Sequence, residues 1–241
     1  MGFLMSNSMN PSESPAELRL RYYPDLAESG GLGPAIFAVA GARQGELGDF
    51  VEEVPLTASR WSAAEFASPR GAMRVNLGYG VRRFAVTLDG HGHVWVSGST
   101  PSPSEVVDVL VSWRKGVKLA ELSAVFPFME FDRLSQAYED GNPREVQWDI
   151  LIEDDAFLMY RELLVKLREE AGMRELFPYF SHWTLRLSKD HQDVQAEEIL
   201  IRPVADEEGF DVWSSSAPEH KSAFRTVGEV VRAALSLVGE L

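Results

Sequence analysis

Two regions of the chain alternate apolar and polar residues in the way that is typical of half-buried antiparallel strands. The first region predicts strands at 73–77, 81–88 and 94–96, and the second predicts strands at 183–187, 199–201 and 210–213. Within the first region, Asp89-Gly90 indicates a tight hairpin turn. We therefore expect two antiparallel sheets.

Each predicted sheet is followed by a helix with one apolar face. Ser104 is the predicted N-cap of a helix that begins at Glu105. Its core-facing stripe comprises Val106, Val109, Leu110 and Trp113. The stripe of a terminal helix, beginning near Thr226, comprises Val230, Val231, Ala234, Leu235 and Val238. Further helices are predicted at 35–40, 118–126 and 131–138, from 143 onward, and at 157–170.

The two regions also share short sequences. Val-Trp closes the last predicted strand in both, at 94–95 and 212–213, and Glu-Val-Val opens the following helix at 105–107 and 229–231. We interpret the fold class as α+β, with two related β-β-β-α units flanking a helical insert. A three-stranded sheet with one covered face is marginal by itself, so we expect the two copies to pack together.

These elements divide the chain into four segments. Residues 1–17, rich in Ser, Asn and Pro, are predicted as a flexible N-terminal tail. Residues 18–117 form the first α+β unit, 118–175 the helical insert and 176–241 the second α+β unit. The N-terminus lacks the basic start and long apolar core of a secretory signal, and Met1, Met5 or Met9 could each be the native start.

Composition excludes several function classes. The 241 residues include no cysteine, which excludes disulfides, thiolate metal sites and cysteine nucleophiles. The 37 acidic and 23 basic residues give a net charge of −14, which argues against nucleic-acid binding. No apolar run is long enough to span a membrane. We expect a cytoplasmic protein with no bound cofactor.

Histidine offers two places for chemistry. His91 and His93 share one face of a strand, as metal ligands can, but no third ligand lies nearby in sequence, so an exposed turn is the favoured interpretation. His182 follows Ser181 where a loop enters a strand, and neighbours along a strand point to opposite faces. A structural histidine bonded to a backbone carbonyl is therefore favoured over a Ser-His nucleophile.

Other polar and aromatic clusters have ordinary structural explanations. The acidic runs 153–155 and 206–208 lack the calcium-loop spacing and are interpreted as solvated surface. The glycines of 30–33 match no phosphate-binding motif. The tryptophans Trp95, Trp113, Trp183 and Trp213 are expected to fill the core, although a groove lined by these rings is the alternative.

Three segments carry a resemblance to a known family: 23–26 with 30–32, 113–122 leading to 126–128, and 176–179 with 181–186. The chain resembles an uncharacterised bacterial family whose members are labelled natural product biosynthesis proteins. The resemblance implies a link to secondary metabolism and supplies no catalytic residue. Trp183 stands where it leads us to expect a smaller residue, which argues against a small-ligand pocket at that corner.

The leading hypothesis is a non-catalytic accessory protein that binds a protein or peptide. The residues expected to take part are His182, Ser181, Arg186, Trp113 and Arg114. One alternative is a tailoring enzyme whose site, using His182 and Arg186, lies in a cleft between the two units. Another is a carrier or resistance protein that holds a small molecule in a Trp-rich interior. Open sheet edges would also allow a homodimer.

Overall fold

The computed structural model describes residues 14–43, 45–47, 61–90, 92–204 and 209–239. The chain divides into two compact units, the first ending at Ser135 and the second beginning at Gln136. Each unit has its own hydrophobic core. Most of the predicted tail, His91 and the acidic run 206–208 lie outside the described residues.

The first unit consists of helices and one antiparallel sheet. Its elements are α1 (Pro15–Tyr22), α2 (Pro24–Ser29), α3 (Leu32–Ala42), β1 (Ala63–Ser68), β2 (Gly71–Leu77), β3 (Phe84–Gly90), β4 (His93–Thr100), α4 (Pro103–Arg114), α5 (Leu119–Val125) and β5 (Met129–Glu130). The strands lie side by side in chain order. Helix α1 begins inside the predicted tail, because Ser14 and Glu17 form a capping box there.

Alternation places the apolar side chains of this sheet on one buried face. Val75 of β2 is fully buried and lies opposite Val86 of β3, which is also fully buried. Helix α4 packs on this sheet, and its predicted apolar stripe is buried as expected. The helix starts earlier than predicted, since the Ser102 hydroxyl rather than that of Ser104 accepts the Glu105 N–H, and Pro103 suits the first turn.

The second unit repeats the pattern of helices, sheet and final helix. Its elements are α6 (Arg133–Asp140), which spans the boundary, α7 (Pro143–Glu153), a 3₁₀ helix (Asp155–Tyr160), α8 (Arg161–Glu169), α9 (Ala171–Arg174), β6 (Phe177–Ser181), β7 (Thr184–Ser188), β8 (Glu198–Pro203), β9 (Phe210–Ser214), β10 (Ser222–Phe224) and α10 (Val227–Val238). Its sheet is again antiparallel, with the strands in chain order. The helices predicted as one insert therefore divide between the two units.

The α+β fold class is confirmed, and each described sheet has five strands, two more than predicted. The sequence pairs that suggested a repeat occupy equivalent places. Trp95 lies on β4 and Trp213 on β9, each the fourth strand of its sheet. Glu105 and Glu229 both stand three residues after the N-cap of the next helix, and the cap hydroxyl accepts their backbone N–H.

Candidate functional site

The turn between β6 and β7 consists of two bulky residues in an uncommon backbone conformation. Ser181 pairs with Thr184, which leaves His182 and Trp183 as the two central residues, with φ of 49° and 58°. A two-residue hairpin turn with positive φ at both positions is of type I′, for which Asn-Gly is the preferred sequence. Holding side chains of this size there costs about 1–3 kcal/mol each.

The turn changes what His182 and Ser181 can do. The predicted strand begins at Thr184, one residue later than expected, so His182 lies in the turn and the alternation of strand side chains does not apply to it. The Ser181 Oγ lies 3.2 Å from Nδ1 of the His182 ring, which is exposed. The expected bond from His182 to a backbone carbonyl is replaced by this contact, and within the described chain no carboxylate orients the ring.

A buried tyrosine is hydrogen-bonded to the backbone of the turn. Tyr160, the last residue of the 3₁₀ helix, is fully buried, and its hydroxyl donates a hydrogen bond to the carbonyl of Trp183. Burial raises the pKa of Tyr160 to about 12, so the phenol remains a donor at neutral pH. The rings of Phe157 and Phe180 stack beside it with centroids 4.0 Å apart. The 3₁₀ helix and the hairpin turn are therefore fixed to one another.

Three large apolar side chains are exposed on the two elements that the Tyr160 hydrogen bond joins. Trp183 is 61% exposed, and Leu158 and Met159 of the 3₁₀ helix are 56% and 60% exposed. The Phe157 ring, 6.3 Å from that of Trp183, connects the two elements. We call Leu158, Met159 and Trp183 the tip surface. The sequence predicted Trp183 in the core and an α-helix over 157–170, but the α-helix begins only at Arg161.

Arg186 belongs to a partly buried polar cluster on β6, β7 and β8. Its guanidinium Nη1 donates to Oε2 of Glu198 over 2.7 Å, and the Tyr179 hydroxyl donates to Oε1 of the same carboxylate. Burial raises the pKa of Tyr179, and the charge of Glu198 adds to that effect. The Arg186 Nε and the Ser188 Oγ are buried without a hydrogen-bond partner in the described residues. The ion pair with Glu198 on the neighbouring strand therefore gives the Arg186 side chain a structural role.

Trp113 and Arg114 belong to the first unit and not to the tip surface. The Trp113 ring is fully buried, and the guanidinium carbon of Arg70 lies 3.6 Å from its centroid. Arg114 donates through Nη1 to the carbonyl of Ala67 over 3.1 Å. Trp113 therefore fills the core, as the sequence suggested for the tryptophans, and Arg114 fastens α4 to the edge strand.

His93, the described member of the predicted histidine pair, contacts the start of α6. Its Nε2 lies 2.9 Å from Oγ of Ser135, which is buried, and that hydroxyl donates to Oδ1 of Asp132 over 2.8 Å. The same Asp132 oxygen accepts the backbone N–H of Ser135, as a helix cap does. The carboxylate of Asp132 therefore bonds Ser135 through both the hydroxyl and the backbone N–H of that serine. In the described residues no three His, Asp or Glu side chains group as metal ligands.

A groove of about 980 Å³ lies among α7, α8 and α9 and was not predicted. Trp148, Ile152 and Val165 contribute its apolar lining. Charged side chains around it are partly paired, since Arg144 bonds Glu175 over 2.9 Å. The amphipathic pattern of α8 indicated a buried face, but no sequence pattern gives the spacing between helices.

The comparisons with known proteins match only the second unit. Residues 144–239, from α7 to α10, match the model of a family of unknown function, DUF6193. No curated protein and no solved structure matches the chain. Among the described residues, no helix combines the length and the apolar character that crossing a membrane requires.

Replacing the turn sequence tests whether it stores strain. We expect the double variant His182→Asn/Trp183→Gly to raise the free energy of unfolding by at least about 2 kcal/mol, because Asn-Gly adopts the type I′ conformation without the steric cost at either position. Urea unfolding followed by circular dichroism measures the change. A loss of stability would show instead that the exposed ring contributes more by packing than it costs in backbone strain.

Removing the charge of Arg186 tests its structural role. The variant Arg186→Leu leaves the carboxylate of Glu198 buried without its cationic partner. We expect the free energy of unfolding to fall by about 2 kcal/mol, a moderate value because solvent screens the partly exposed guanidinium. The double variant Arg186→Leu/Glu198→Leu should recover most of that loss in urea unfolding. A double variant no more stable than the single one would contradict the ion-pair explanation.

The partial burial of His93 predicts that the stability of the folded chain depends on pH. Burial lowers the pKa of His93 below 6.5, against a smaller opposing effect of Asp132. Just below pH 6.5, His93 therefore binds more protons in the unfolded chain than in the folded chain. The stability that His93 contributes is lost as the pH falls from 6.5 toward the lowered pKa. The urea midpoint should fall less between about pH 7 and pH 5 in His93→Gln than in the wild type. Equal slopes would contradict this assignment.

Proposed function

We propose that this protein is a non-catalytic binding protein that recognises a protein or peptide through the tip surface. The single observation that carries the proposal is the exposure of Trp183 on a strained turn that a buried hydrogen bond holds in place. Strained backbone is found preferentially at sites of function. Trp is also the side chain most enriched among residues that dominate binding energy.

The geometry suits binding for a second reason. A surface that is already ordered loses little conformational entropy when a partner docks, so more of the interaction energy appears as affinity. The tip surface is ordered by Tyr160 below it and by the Phe157–Phe180 stack beside it. Leu158 and Met159, on the 3₁₀ helix that is bonded to the turn, are exposed as well, so the apolar exposure of these two elements is not confined to Trp183.

Two further hypotheses accompany this proposal. The resemblance to natural product biosynthesis proteins supports a partner that itself belongs to secondary metabolism. The groove among α7, α8 and α9 favours a small-molecule carrier as the second candidate function, because its volume lies in the range of ligand sites and three apolar side chains contribute to its lining.

An unbiased peptide library selected on the full chain tests the proposal. We expect enriched peptides whose dissociation constant rises about tenfold or more in Trp183→Gly, because removal of a central aromatic anchor commonly costs that much affinity. Fluorescence anisotropy with labelled peptides measures the change, and glycine keeps the positive φ of the turn without strain.

The matched control is Val194→Ala. Val194 is 91% exposed and lies in the loop between β7 and β8, at the end of β7 opposite to the turn. Its replacement should leave the dissociation constant unchanged. A library without enriched peptides, or peptides that bind Trp183→Gly as well as the wild type, would refute the tip surface as the binding site.

A further inference from the structure

Charge is distributed very unevenly along the chain. Residues 136–241 contain 22 acidic and 11 basic residues, so the second unit carries −11 of the total charge of −14. Charge of one sign on a surface attracts partners of the other sign and raises their rate of association. The unit that presents the tip surface is therefore also the strongly acidic one.

Three acidic residues lie at the start of the 3₁₀ helix that carries two residues of the tip surface. Glu153, Asp154 and Asp155 are exposed and lead into the 3₁₀ helix that carries Leu158 and Met159. Arg161 binds Asp155 over 2.9 Å, but the side chain of Asp155 is still 87% exposed. Asp154 accepts the backbone N–H of Ala156 through Oδ1 over 2.8 Å. The exposed carboxylates of Asp154 and Asp155 therefore form an acidic border to the 3₁₀ helix, three to five residues before Leu158 and Met159 in the chain.

We propose, on the basis of the proposed function, that the tip surface binds a basic amphipathic peptide segment of a partner protein. Apolar side chains of that segment would cover Trp183, Leu158 and Met159, while its Lys or Arg side chains would reach the carboxylates of 153–155. Charge complementarity selects this occupant among those that an apolar surface could accept.

The same charge disfavours the other occupants. A second copy of the chain would bring an equally acidic border against the first, and like charges facing each other across an interface oppose binding. An anionic membrane surface would be repelled for the same reason. A neutral membrane and a second copy nevertheless remain distinct outcomes of the experiment below.

The experiment uses two synthetic peptides that have Leu and Trp at the same positions. All remaining positions are Lys in one peptide and Glu in the other. By fluorescence anisotropy, the Lys peptide should bind the wild-type chain at least about tenfold more tightly than the Glu peptide. Trp183→Gly should weaken the Lys peptide by a similar factor, which separates specific binding from general attraction to an acidic protein. Raising NaCl from about 50 mM to about 500 mM should also weaken the binding of the Lys peptide to the wild-type chain.

Two pairs of isosteric substitutions locate the charge effect. Asp154→Asn/Asp155→Asn should weaken the Lys peptide several-fold, since it removes two carboxylates while asparagine can still accept the backbone N–H. The control Asp190→Asn/Asp193→Asn removes two carboxylates that accept the N–H of Gln192 and Gln195 in the loop at the opposite end of β7. It should leave the affinity unchanged.

The outcomes distinguish this inference from the proposed function. If the Glu peptide binds as tightly as the Lys peptide and both depend on Trp183, the basic partner is refuted and the binding surface stands. If no peptide binding depends on Trp183, both fail. A Trp183-dependent dimer in sedimentation velocity, or Trp183-dependent sedimentation with phosphatidylcholine vesicles, would overturn the basic peptide in favour of a second copy or a membrane surface.

Discussion

The hydrogen bond from the buried Tyr160 hydroxyl to the Trp183 carbonyl is the interaction on which the second unit's most unusual feature depends. Two bulky residues with positive φ do not hold that conformation by local preference, because their side chains crowd the backbone there. The hairpin pairing and the bond to Tyr160 together fix the turn. The ordinary pKa of a tyrosine is already near 10 and burial raises that of Tyr160 further, so the phenol is protonated and the donor persists across the physiological pH range.

Periodicity was sufficient to predict the cores, but not the edges of the sheets. The alternation at 73–77 and 84–88 and the stripe of α4 each correspond to fully buried side chains. Edge strands gave weaker signals. In β6, Pro178 and three aromatic residues interrupt the alternation, and β1 is rich in alanine, which has low strand propensity. β5 and β10 are too short to show a period.

The candidate site was harder to predict, for reasons of backbone conformation and register. Nothing in His182-Trp183 signals a type I′ turn, since neither residue is the Gly, Asn or Asp that such turns favour. A strand position for Trp183 predicts a ring that faces inward. The ring is exposed because Trp183 lies in the turn and not in the strand. The partnership of Arg186 with Glu198 depends on the pairing of β7 with β8, which residue types alone do not fix.

The charge of the second unit and its exposed apolar surface are linked by the physics of association. Large apolar side chains exposed on a surface promote contact between copies of a protein, which is why large apolar patches are usually covered. A net charge of −11 in the same unit opposes that contact, because each copy repels the next. A partner of opposite charge does not meet this repulsion. On the proposal made above, the acidity that opposes contact between copies also favours a basic partner, so one property of the sequence would serve both protection and selection.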